Sequence, residues 1–236
     1  MAGDEATREP GGGDGRAPEV PLTRIVLRPV GTPLPLGFLG LFVATGAFAA
    51  LQLDWIGPGQ GRVVALAALL FTAPLQLLAA VYGFLARDPV AGTGMGVLAG
   101  TWATAGYVTL SSPPGSTSAG LGVVLLLAAG AMLVPAVAAS AKGVAAAVMT
   151  GAALRFAVTG VAEVTGSGAW LAAAGWVGIA LAVLALYAAL GFELEDAKHR
   201  TVLPLLRRGP ASSAVSGGIG EELSDVVHEA GVREQL

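Results

Sequence analysis

"PLGFLGLFVATGAFAALQLDW", residues 35–55, carries no charge until Asp54. A membrane-crossing helix needs about 20 predominantly apolar residues. A soluble surface helix of that length would show a charged face, whereas the polar side chains before Asp54 are only Thr45 and Gln52. The stretch is therefore expected to cross a bilayer. Its entry is sharp. Pro35 suits a first helical turn, where its missing N–H leaves no bond unmade. Pro33 keeps the residue before it extended, and Thr32 is placed to accept a hydrogen bond from an orphan amide.

Five more apolar runs follow, at about 63–86, 90–110, 121–140, 144–165 and 170–190. They are separated by "DWIGPGQG", "RDP", "SSPPGSTS", the lone lysine of "AKG", and "GSG". The chain is 54% hydrophobic and 12% charged, with a mean hydropathy of +0.72. Charge gathers at the two ends, the pattern of an integral membrane protein. The expected fold is an all-α bundle of six transmembrane helices over 32–204. Residues 1–31 are read as a disordered cytoplasmic arm and 205–236 as a flexible acidic tail, both from polar and Gly/Pro-rich composition. Arg8, Arg16, Arg24 and Arg28, then Arg87, Lys142, Lys198, Arg200, Arg207 and Arg208, fall on one side of this topology. Lys and Arg favour the cytoplasmic side, so both termini are expected in the cytoplasm.

Several chemistries are excluded. Without cysteine there is no disulfide, thiolate metal site or cysteine nucleophile. The two histidines, His199 and His228, lie beyond the apolar runs, so a histidine metal site or triad within the membrane is excluded. No nucleophile with a base, no carboxylate pair and no nucleotide-binding loop emerges. The expectation is no enzyme, no cofactor, no metal and no nucleic-acid partner. "AGTGMGVLAG" (91–100) lacks both the spacing and the βαβ context of a dinucleotide fingerprint. Its small residues are read as helix-packing positions.

Polar groups inside a bilayer face protein or a water path. Thr45 and Gln52 share a face of the first run, Gln76 marks the second, and Thr101 lies beside Leu98 on the third. Such faces suit either a pore for a small solute or a hydrogen-bonded helix interface. Arg155 stands thirteen residues beyond Lys142, about 20 Å along a helix. It either attracts an anion beside a path, or is structural, paired with Glu163 or Asp54 or reaching to the interface.

The ordered motifs resemble the acetate/succinate transporter family, GPR1/FUN34/YaaH. Thr32-Pro33-Leu34-Pro35-Leu36-Gly37 is similar to its Asn-Pro-Ala-Pro-Leu-Gly signature, matching at Pro33, Pro35, Leu36 and Gly37, with Thr32 in place of the Asn and Leu34 in place of the Ala. Gln76 with Ala79 and Ala80, "AGWVG" (174–178), "ALYAALGFE" (185–193) and "RTVLP" (200–204) follow in order. The resemblance implies a pore in each protomer, a homo-oligomeric (hexameric) assembly in the plasma membrane, and passage of acetate and related short carboxylates, proton-linked or channel-like. It also implies a constriction from the first, third and fifth helices, falling on Leu41, on Leu98 and near Leu154 or Ala152. Familiar members carry aromatic residues at the first two positions, and Arg155 is extra, so this chain reads as a divergent member. A channel for urea or an amide, and a non-transporting membrane scaffold, are the alternative functions.

Overall fold

A computed structural model describes residues 31–198 and 200–208. The arm before Gly31 and the tail after Arg208 lie outside the described residues. The helices are α1 (Leu34–Gln52), α2 (Gly61–Ala67), α3 (Ala73–Leu85), α4 (Pro89–Ser111), α5 (Ala119–Ala138), α6 (Gly143–Thr165) and α7 (Gly168–Lys198). α2 and α3 belong to one rod, Pro58–Leu85, joined by a wider π-type turn over Ala68–Thr72. Pro74 explains that turn: proline has no N–H to donate and its ring crowds the carbonyl four residues back, so the helix widens just before it.

Among the described residues, five rods are long and apolar enough to cross a membrane: Leu34–Gln52, Pro58–Leu85, Ala119–Ala141, Gly143–Thr165 and Gly168–Lys198. The protein is an all-α membrane protein by that measure. α4 has 23 residues, but glycine and threonine dilute its hydropathy. α7 outruns its apolar stretch, continuing through "FELEDAK" to Lys198, because those residues are sound helix formers outside any bilayer constraint.

The rods pack in chain order: α3 on α4, α4 on α5, α5 on α6, α6 on α7. α7 then packs on α1, and α1 on α3, closing a ring. Lipid offers no hydrophobic drive for helices to associate, so close approach at small residues carries the packing. A Cβ on Gly122 of α5 would stand 2.8 Å from the Gly160 carbonyl of α6, and one on Gly160 would stand 2.8 Å from the Gly122 carbonyl. A Cβ on Gly83 of α3 would meet the Gly92 amide of α4 at 2.5 Å. These seams have backbone against backbone.

Both chain ends of the bundle meet at one end, where Gly31 lies against Asp196. There Asp88 caps α4, its Oδ1 accepting from the Ala91 amide at 3.1 Å, while Oδ2 pairs with Lys142 at the start of α6. Residues 201–208 fold back across this end instead of leaving it. The Gly143 and Val144 amides, the first donors of α6, donate to the Leu206 and Leu205 carbonyls. Arg207 pairs with Glu195 at 2.6 Å and lies over the Phe192 ring. The expected tail boundary at 205 thus falls too early: Leu205 is 1% exposed and seated over Gly191. Leu205→Ala should destabilise the folded protein by about 2–5 kcal/mol, read as a lower melting temperature in detergent. An unchanged melting temperature would show the strap to be passively attached.

Candidate functional site

Alternate rods, α1, α4 and α6, run in the same direction and meet across the ring. Their contacts step along the axis in layers. At the end where the chain termini lie, a Cβ on Gly37 would collide with the Met95 sulfur, and one on Gly94 with the Met149 methyl. These glycines make room for two methionines inside the ring. The next layer holds Leu41, Leu98 and Ala152. Phe38, Leu41, Met95, Leu98, Met149 and Ala152 are all fully buried in one apolar cluster. They form a plug with no polar side chain of its own.

Above the plug the chemistry changes. Thr45 of α1 and Arg155 of α6 share a layer, joined by a hydrogen bond from Arg155 Nε to Thr45 Oγ1 at 3.3 Å. Arg155 Nη1 donates to Thr159 Oγ1 at 2.9 Å and to the Ala174 carbonyl of α7 at 2.7 Å. Arg155 is 2% exposed, and its hydrogen-bond partners among the described residues are neutral oxygens. Gly178 of α7 clears the space, since a Cβ there would stand 2.9 Å from Arg155 Nε. Arg155 therefore points into the ring. Neither Glu163 nor Asp54 pairs with it: the Glu163 Oε2 accepts from the Ser118 amide at 2.7 Å, and Asp54 is exposed.

Beyond Arg155 lies a cavity of about 40 Å³. Arg155, Phe156, Thr159 and Glu163 of α6, Gln52 of α1 and Trp102 of α4 are among the residues that line it. Trp102 packs between Phe48, tilted at 5.5 Å, and Phe156, edge-on at 5.8 Å, which fixes its ring. Two buried polar atoms at this cavity have no hydrogen-bond partner, Trp102 Nε1 and Gln52 Oε1. An unpaired buried polar atom is costly, so a polar occupant would stabilise both.

The residues singled out from sequence divide. Gln52 and Arg155 line the cavity, and Thr45 supports Arg155 from beneath. Gln76 does not line it: its Nε2 donates to the Gly37 carbonyl at 3.4 Å, while Thr72 donates to the Gly40 carbonyl at 3.0 Å. Together they clip α1 to the rod containing α3. Thr101 donates back to Val97 within its own helix and does not line the cavity. Leu41 and Leu98 sit in the plug, but Leu154 is 53% exposed. Ala152 takes the inward position, because Leu154 lies two residues on, about 200° around the helix. In the signature, Pro33, Pro35 and Gly37 are buried and Thr32 and Leu36 are partly so. Pro33 occupies the cap position and the Thr32 side chain makes no capping bond. Trp102, Met95 and Met149 were not singled out. A tryptophan in an apolar run, whose N–H needs a partner, was the available signal for the first.

No family model matches the chain, and no curated protein matches it by sequence. Among solved structures, it is similar to the bacterial acetate channel SatP, at a TM-score of 0.66 and 21% identity. The match covers 74% of this chain and 98% of that one. The chain thus shares the fold of that channel across nearly the channel's whole length.

Proposed function

We propose that this protein is a membrane channel or transporter for acetate and related short-chain carboxylates. The observation that carries the reading is Arg155, a buried cation inside a closed helical ring, bonded to neutral oxygens beside a cavity. A cation there gives an anion a reason to enter a low-dielectric path. The fold shared with an acetate channel supports the same solute class.

The reading takes all six rods as spans, α4 included, since α4 is enclosed by α3 and α5 and contributes Leu98 and Trp102 to the ring interior. It places the strap end, with Arg87, Lys142 and Arg207, in the cytoplasm, and the cavity towards the outside. It also takes the working form as a homo-oligomer in the cell membrane and the passage as proton-linked. Light scattering of the detergent-purified protein tests the first, and the response of uptake to an imposed pH gradient tests the second.

Proteoliposomes loaded with labelled acetate, succinate or urea test the function. Acetate should cross, and Arg155→Gln should slow it by about tenfold or more, the worth of one charge-assisted hydrogen bond. Urea flux without acetate flux would make the protein a neutral-solute channel. No flux from folded protein would leave the scaffold.

A further inference from the structure

We infer that the cavity above Arg155 is a binding site for one small monocarboxylate, and that Glu163 makes it reject dicarboxylates. The inference rests on the carboxylate reading above and narrows its substrate class.

The site is built before any solute arrives. Arg155 is held through Nε by Thr45 and through Nη1 by Thr159 and the Ala174 carbonyl. Among the described residues no carboxylate pairs with it. Trp102, 3% exposed, offers an indole N–H with no acceptor. A carboxylate accepts at both oxygens, so it answers a guanidinium and an indole N–H together. The unpartnered Gln52 Oε1 at the same cavity is an acceptor, so it takes a donor such as a water beside the solute rather than the carboxylate itself. The rings of Phe48, Trp102 and Phe156, which contact one another and line the cavity, offer an apolar wall for a methyl or ethyl group.

Size and charge then set the upper limit. A water-sized occupant needs about 10–15 Å³ of such space, so a cavity of about 40 Å³ takes roughly three such units. That is the scale of formate or acetate. The second carboxylate of a diacid would find no second cation. Arg155 is the one cationic residue in the lining, and the other ionisable residue there is Glu163. Glu163 is fixed by its bond from the Ser118 amide, so it repels a second negative charge from a set position.

Equilibrium binding to the purified full-length chain tests this, by calorimetry with sodium acetate and sodium succinate, and chloride as an inorganic anion control. Acetate should saturate one site per chain and succinate should bind at least about tenfold more weakly. Arg155→Gln should remove acetate binding, Arg155→Lys should keep part of it, and Trp102→Phe should weaken it without loss of fold. Glu163→Gln should narrow the gap between acetate and succinate. Succinate binding as tight as acetate would overturn the inference, and so would acetate binding indifferent to Trp102→Phe and Arg155→Lys. Chloride displacing acetate at equal concentration would reduce the site to a general anion trap and overturn it as well. The two readings fail separately. Selective binding without flux would remove the transport function and leave the site. Acetate flux without this binding would do the reverse.

Discussion

Gly160→Leu is expected to eliminate the folded protein, leaving aggregate in place of a monodisperse peak on detergent size exclusion. The Gly122 carbonyl would lie 2.8 Å from the new Cβ, and the Leu126 Cγ 2.9 Å. A flexible side chain can move aside, but a helix backbone cannot do so without parting α5 from α6. Overpacking typically costs about 1–3 kcal/mol where neighbours can adjust. Here the obstacle is backbone along the most extensive helix contact in the bundle, and total stability is only about 5–15 kcal/mol. Gly130→Leu is the control. It lies on α5 as well, but nothing stands within 4 Å of its would-be Cβ, so a normal peak is expected. Equal behaviour of the two variants would refute the backbone seam.

Leu98→Ala is expected to raise acetate flux through proteoliposomes by about tenfold, a barrier change of about 1.4 kcal/mol. Leu98 is fully buried beside Leu41 in the plug, with Met95 and Met149 in the adjoining layer. A dry apolar layer opposes any solute carrying charge, because nothing there replaces its hydration. Removing a leucine side chain leaves space that water or solute can use. The same change should lower the melting temperature, since Leu→Ala in a packed core costs about 2–5 kcal/mol. The pairing of faster flux with lower stability is the signature, because general damage would lower both. Succinate should gain less than acetate, since its rejection is assigned to Arg155's cavity and Glu163 rather than to the plug. Flux unchanged in well-folded Leu98→Ala would place the barrier elsewhere.

Much of this was legible in one dimension. Uninterrupted apolar runs of about 20 residues dictate membrane helices whatever their neighbours, because a bilayer requires every backbone bond to be met within the segment. "RDP" and "AKG" marked turns that the structure keeps, with Asp88 and Lys142 joined across them. Periodicity also grouped Leu41, Thr45 and Gln52 on one face and put Leu98 on another, but it left the direction of Arg155 open. Other features escaped because they depend on which helix lies opposite. Gln76 resembled a pore residue until the Gly37 carbonyl proved to be its partner. Leu154 and Ala152 were alternatives that only the orientation of α6 separates. Residues 205–208 of the strap read as tail because their main bonds come from the backbone, which composition does not register.

By itself, then, the sequence determined that the chain is a helical membrane protein, where its helices run, and that a cation stands deep within one of them. Only the tertiary structure decided that the cation faces the ring interior, with Thr45, Thr159 and the Ala174 carbonyl for partners instead of a carboxylate. The reason is physical. Helix formation and membrane insertion are local properties of a segment, whereas the partner of a buried charge belongs to three helices at once.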